Sequence, residues 1–343
     1  MEDNKESSQD NAPEGNVTID KSAASGNNQN KVNENKKNSP RFKFGLAGIK
    51  KFYESQYKKL LIIPFALLII SLVMIGLQFA KTGDFINRDV SLKGGVTITI
   101  PLERAADTLK LESALSSQFP ANDIAARSIS QFGKQIGIIV EADIAEGEAS
   151  KLVDAIEKEL NINLKSTDYS VEIVGSSLGA SFFKEIITAL AIAFVFMSIV
   201  VFLYFRTFVP SMAVILAAFS DMIVTLAIAN LIGLKISAAG IAAFLMLIGY
   251  SVDTDILLST RLLKRKEGTE MERIYGAIDT GFTMSLTALV AVIAGLIFTQ
   301  SEVIRQIMTI LLIGLLIDLI NTWIQNVGIL RLYLERKARK AAQ

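Results

Sequence analysis

The chain has 343 residues, 51% of them hydrophobic, and a mean hydropathy of +0.41, which is too apolar for an ordinary soluble domain and reads as a polytopic membrane protein. Its 35 basic and 34 acidic residues nearly cancel, so no nucleic-acid footprint is present and the informative quantity is where each charge lies relative to the apolar segments. Cysteine and histidine are both absent, which excludes disulfides, thiol catalysis and Cys-based metal sites and leaves proton handling to carboxylates.

Residues 1–40 are rich in Asn, Ser, Glu, Lys and Gly and bury too little apolar surface to offset the entropy of ordering, so a disordered tail is expected. Residues 41–59 are basic and aromatic, with Phe42, Phe44, Phe52, Tyr53 and Tyr57; such a juxtamembrane segment either lies against an anionic leaflet or is a solvated linker. Leu60 to Ala80 is uncharged and long enough as a helix, at about 1.5 Å per residue, to cross a hydrocarbon core of about 30 Å. Five more spans follow: Ile186 to Phe205 and Thr280 to Gln300 without charge, Thr207 to Leu234 with Asp221, Ile236 to Thr260 with Asp253 and Asp255, and Gln306 to Leu330 with Asp318. Lys and Arg in short loops stay in the cytoplasm. Lys58, Lys59, Arg206, Arg261, Lys264, Arg265, Lys266, Arg273, Arg331 and the basic tail 336–343 therefore mark one side, against only Lys235 and Arg305 on the other. The expected topology places both termini in the cytoplasm and residues 81–185 outside.

That outer segment alternates strand and helix patterns: Val96 to Ile100, then helical spacing from Ala105 to Phe119, strands at Ile124 to Ile129 and Gln135 to Val140, a helix from Glu146 to Leu160 and a strand at Tyr169 to Val174. The order βαββαβ predicts a ferredoxin-like α+β domain inserted between the first and second of six transmembrane helices. Such a domain identifies a module and no activity. The phosphate-loop pattern GxxxxGK[ST] is absent.

A carboxylate near the bilayer centre costs about 2.5 to 3.5 kcal/mol on insertion scales, so the aspartates at 221, 253, 255 and 318 are the ion-pathway candidates. Consecutive helical residues turn by about 100°, which sends Asp253 and Asp255 to nearly opposite faces. Asp255 continues a stripe with Ser251 and Ser259, and Asp253 shares a face with Gly249 and Thr260. Span six carries Asp318, Asn321, Thr322 and Gln325 on one face, span three Ala217, Ala218, Asp221 and Thr225, and span five Thr283, Thr287, Ala291 and Gly295. Small and hydroxyl-bearing stripes let membrane helices pack closely. Spans three to six are therefore expected to form a bundle with the carboxylates inward, Asp253 beside Asp221 and Asp318, supported by Ser251, Thr254, Asn321, Thr225, Thr283 and Thr287. Asp255, nearer the interface, is expected to be solvated or to pair with Arg261 if it is not itself on the ion path. No cofactor, resident metal or catalytic residue is expected.

The run Gly249-Tyr250-Ser251-Val252-Asp253-Thr254-Asp255 followed by ILLSTRLLKR, the SLKGG turn at Ser91 to Gly95, the VGSSLG turn at Val174 to Gly179 and the segment Gly314 to Trp323 together resemble the archaeal branch of the SecF protein-export family, over most of residues 45–335. The resemblance implies half of a transporter of the resistance-nodulation-division type, with SecD as obligate partner. It further implies a proton-motive or sodium-motive accessory to the SecY translocon that acts on exported polypeptide in the lipid of the cytoplasmic membrane. It also implies that Asp253 stands where the SecD half carries its span-four aspartate, and Thr254 where bacterial SecF carries its acid. Two other classes compete: an ion-driven small-molecule exporter of the same superfamily, and an intramembrane aspartyl protease in which two acids share a proton. The GxGD signature of such proteases is absent.

Overall fold

The computed structural model describes residues 53, 55–102, 105–131, 134–265, 267–299 and 301–343. The tail expected to be disordered and most of the basic segment 41–59 lie outside the described residues. Among the described residues, six helices are long and apolar enough to cross a membrane. Span one is Ile62–Thr82, span two Ser176–Phe205, span three Phe208–Leu231, span four Ala238–Lys264 and span five Glu270–Phe298. Span six runs from Glu302–Ile320 through a π-helical turn, Asn321–Asn326, into Val327–Ala341.

Spans two, five and six are longer than the expected spans. Hydropathy marks the part of a helix inside hydrocarbon, and these helices continue into charged turns, with Lys184 and Glu185 in span two and Glu270, Glu272 and Asp279 in span five. Span five begins where Thr269 and Glu272 close a capping box, satisfying backbone N–H groups that the first turn leaves unpaired. Spans three and four each have 56% of their most apolar window buried against 6% in span two, so the bundle is centred on spans three and four. Span six packs closely against both.

Between spans one and two the chain forms β1 (Gly95–Pro101), α1 (Thr108–Gln118), β2 (Ile124–Gln131), β3 (Lys134–Ala142), α2 (Ala149–Leu160) and β4 (Ser170–Val174). All pairs are antiparallel and the strand order is β2-β3-β1-β4. The period-two alternation of Val96, Ile98 and Ile100 puts all three on one face, where Leu111 and Leu115 of α1 and Leu152 and Ile156 of α2 cover them. α1 starts later than the expected Ala105, because the Asp107 side chain caps it by accepting from the Leu109 and Lys110 N–H groups.

The SLKGG and VGSSLG turns meet where the domain joins the bundle. Gly94 has φ +88, and a Cβ there would lie 2.4 Å from Ser176 Cα; a Cβ on Gly179 would lie 2.7 Å from the Gly94 nitrogen. Only glycine permits both the left-handed backbone and the contact. Ionic contacts secure the same junction. Arg127 Nη2 is 2.5 Å from Glu141 Oε2 and its Nη1 is 3.4 Å from Glu302 Oε1 at the start of span six, while Lys93 and Lys235 each reach Asp123 Oδ2 at 3.3 Å. Arg305 Nη2 donates to the Ser130 carbonyl at 3.0 Å.

Burial, opposed by the Arg127 guanidinium, pushes the Glu141 carboxyl above the usual glutamate value. An acid whose value is raised by folding binds its proton more tightly in the native state, so its contribution to stability is lost as pH rises from the unfolded value through the folded one. Glu141→Gln should flatten that part of the pH–stability curve, measured by thermal unfolding in detergent between about pH 4 and about pH 7. An unchanged slope would show that Glu141 does not titrate there.

Candidate functional site

Hydrocarbon supplies no hydrogen bonds, so each polar side chain buried in a bundle must find its partner within the protein. Spans three, four and six meet this demand with one cluster. Asp221 of span three is fully buried and accepts from Ser251 Oγ of span four at 2.5 Å and from Asn321 Nδ2 of span six at 2.7 Å. Asp318 accepts from Thr322 Oγ1 one turn along span six at 3.1 Å. Asp255 accepts from Asn326 Nδ2 at 2.7 Å. Asp318 lies close enough to act electrostatically on both Asp221 and Asp255, and Asp255 on Asp221. Three carboxylates are thus gathered in one buried cluster of spans three, four and six, and among the described residues no Lys or Arg side chain pairs with any of them.

Several oxygens in this cluster have spare capacity. Asp255 Oδ2, Asp318 Oδ2, Asn321 Oδ1, Asn326 Oδ1 and Thr225 Oγ1 are buried without a hydrogen-bond partner among the described residues. An ionised carboxylate accepts at both oxygens, and the buried amide oxygens also accept. The open carboxylate and amide oxygens can accept a proton or a further hydrogen bond; Gln325 Nε2, Trp323 Nε1 and Ser259 Oγ nearby are likewise buried without a partner among the described residues.

The π turn sets this geometry. In regular α geometry Asn326 stands about 80° around the helix from Asp318. The Val327 N–H instead reaches back five residues to the Thr322 carbonyl, and this wider turn recovers part of that rotation. Asn321, Thr322, Gln325 and Asn326 are all fully buried. Trp323 of the same turn lies against span five, where a Cβ on Gly281 would come within 2.4 Å of the indole Cζ2.

The structure redistributes the residues singled out in the sequence. Asp221, Asp318, Ser251, Asn321 and Asp255 are brought together, and Thr225 is buried on the same side of span three. The expectation that Asp253 joins Asp221 and Asp318 is corrected. Span four turns its Ser251, Asp255 and Ser259 stripe into the bundle, which leaves Asp253 exposed in a groove shared with Tyr250, Met284, Thr287 and Leu315. No described residue forms a hydrogen bond or ion pair with Asp253. Asp255 is neither solvated nor paired with Arg261, whose guanidinium instead donates to the Gly276 carbonyl. Thr254 is buried and donates to the Tyr250 carbonyl at 3.4 Å. The inward packing expected of Thr283 and Thr287 is also corrected, although Thr287 lines the groove that holds Asp253. Both are exposed and donate to carbonyls of their own helix, Asp279 and Met284, each at 2.8 Å, because span five buries the face of Gly281, Ser285 and Leu289 instead.

Asn326 was outside the expected set because α periodicity sets it off the polar stripe. The signal for it was present in NTWIQN, where six residues hold four amide or hydroxyl side chains inside an apolar segment.

Residues 155–336 match the family model described as protein export membrane protein SecD/SecF, C-terminal. The chain is similar to the protein-export membrane protein SecF of Pyrococcus furiosus, 38% identical over 297 residues that cover 85% of this chain and 96% of that one. It is likewise similar to SecF of Methanothermobacter thermautotrophicus, 39% identical over 284 residues covering 81% and 93%. Among solved structures, the crystal structure of SecDF, a translocon-associated membrane protein from Thermus thermophilus, superposes with a TM-score of 0.62 at 18% identity, covering 84% of this chain and 41% of that one. SecDF in a super-membrane-facing form gives a TM-score of 0.52 at 20% identity, covering 82% and 39%. The likeness to these two shows the fold, and this chain spans about two fifths of their length.

Asn326→Leu keeps the branched shape of the side chain but removes a donor from Asp255. Leaving a buried acceptor unsatisfied costs about 1 to 3 kcal/mol, so the variant should unfold at a measurably lower denaturant concentration in mixed micelles. A variant as stable as the parent would mean that Asp255 does not depend on that bond.

Proposed function

Because the chain belongs to the SecF family of protein-export membrane proteins, we propose that it is the SecF half of a SecD–SecF assembly, a Sec translocon accessory that uses an ion gradient to help exported polypeptides cross the cytoplasmic membrane. The observation that carries this reading is the buried cluster of Asp221, Asp318 and Asp255, which holds three acids without a cationic partner among the described residues and leaves acceptors unfilled. On insertion scales an acid near the bilayer centre costs about 2.5 to 3.5 kcal/mol, against about 0.6 kcal/mol for a typical interhelical hydrogen bond. Helix packing alone does not offset that cost. In this reading the three acids are the inner part of an ion path, with the Ser251 and Thr322 hydroxyls able to relay a proton and the Asn321 and Asn326 amides holding the carboxylates in place.

Asp253 serves the other part of the path. Its place in an open groove between spans four and five suits a carboxylate presented to a second subunit, which supplies the charge that gates it. The need for that subunit is supported by length, since the chain corresponds to about two fifths of the SecDF chains it superposes on. SecD is the partner that fits, with the SecY translocon, the exported chain and the surrounding lipid as further contacts. The basic flanks support a topology with both termini in the cytoplasm. The sheet domain is then external, and its βαββαβ order with strands arranged β2-β3-β1-β4 supports a ferredoxin-like fold. The named relatives are export membrane proteins, not enzymes, and the protease reading finds no support in them.

Asp318→Asn and Asp253→Asn should each leave the SecD–SecF complex assembled while removing gradient-stimulated translocation in reconstituted vesicles. Collapsing the proton gradient and the sodium gradient separately with selective ionophores identifies the coupling ion. Full stimulation in Asp318→Asn would contradict the assignment of the buried cluster, and full stimulation in Asp253→Asn the assignment of the groove.

A further inference from the structure

The π turn that carries Asn321, Thr322 and Asn326 receives a hydrogen bond from outside the bundle. Tyr53, in the segment ahead of span one, donates its hydroxyl to the Trp323 carbonyl at 2.5 Å. Its ring packs on the cluster of Leu258, Leu262, Ala277 and Val327 that surrounds the indole. Burial pushes the phenol well above the usual tyrosine value, so it remains a donor. The residues after it are fastened to the inner end of the same helix. Tyr57 donates to Glu335, the Lys58 ammonium is 3.3 Å from Glu335, and the Arg331 guanidinium lies 4.1 Å from the Tyr57 ring centre.

We propose that Tyr53 is a positioning residue for the buried carboxylates: its bond to the Trp323 carbonyl holds span six in the π turn that brings Asn321, Thr322 and Asn326 to Asp221, Asp318 and Asp255. A π turn is rare because i→i+5 bonding holds the backbone less well than i→i+4 bonding, and a widened turn leaves carbonyls open to an outside donor. Tyr53 provides such a donor. When it is withdrawn, the turn relaxes toward α geometry and Asn326 rotates away from Asp255. The cytoplasmic segment ahead of span one thereby regulates the site from a distance, without contacting any of the acids. The regulatory part of this inference rests on the ion-path reading above; the positioning part does not.

The chain reports on this turn directly, because Trp323 is its only tryptophan. In the purified full chain, Tyr53→Phe keeps the ring and removes the bond. It should raise acrylamide quenching of Trp323 emission about twofold with little change in thermal unfolding, as expected for local opening. Tyr57→Phe, which loosens the same segment away from the turn, should leave the emission unchanged. The infrared stretching bands of the buried acids, assigned with Asp255→Asn, should move in Tyr53→Phe in the same direction as in Asn326→Leu. Unchanged emission and bands in Tyr53→Phe would overturn the proposal. An equal response in Tyr57→Phe would also overturn it, since the effect would then belong to the whole segment. Both readouts are taken without translocation, so a failure of the export reading leaves this test intact.

Discussion

The bundle depends on the pair of hydrogen bonds that Asp221 accepts, from Ser251 on span four and Asn321 on span six. A carboxylate there has no water to turn to, and each bond comes from a different helix. Spans three, four and six are therefore held in one register by a group that is costly to leave unpaired. Asp318 and Asp255 extend the same dependence along span six, each held by a side chain of the turn that follows Ile320. Among the described residues, the outer spans one, two and five hold no such carboxylate bonded to two other helices, and they present apolar faces outward.

The same bonds link fold and chemistry. A network with every oxygen paired would rigidify the bundle and do little else. Here the second oxygens of Asp255 and Asp318 and the amide oxygens of Asn321 and Asn326 are left open, and the helix that delivers the donors is wound as a π turn. The sheet domain reaches span six at its other end through Glu302 and Arg305. One helix thus carries contacts to the domain, to the buried acids and to the segment ahead of span one, a physical route by which a change at one reaches the others.

Much of this was legible in the sequence. Apolar runs located the spans, β-branched alternation located the strands, and the cost of charge in hydrocarbon singled out the four aspartates. What periodicity could not fix was rotation. A helix in an apolar slab has several acceptable faces, and which of Asp253 and Asp255 turns inward is decided by partners on other helices: Asn326 of span six holds Asp255, which leaves Asp253 on the opposite face, in the groove with Met284 and Thr287. Thr283 and Thr287 misled for a related reason, since a threonine in a membrane helix satisfies itself on its own backbone and needs no neighbour. The π turn was beyond reach because α geometry at about 100° per residue is built into any stripe drawn on a sequence.

The central claim is that the three buried acids conduct. Ion uptake into liposomes that hold the purified SecD–SecF complex, followed with a trapped indicator dye under an imposed gradient, tests it without any exported substrate. Uptake should be present in the parent complex and absent when Asp221 and Asp318 are both replaced by Asn. Undiminished uptake in that double variant would contradict the account, and would assign the buried acids to holding the helices together.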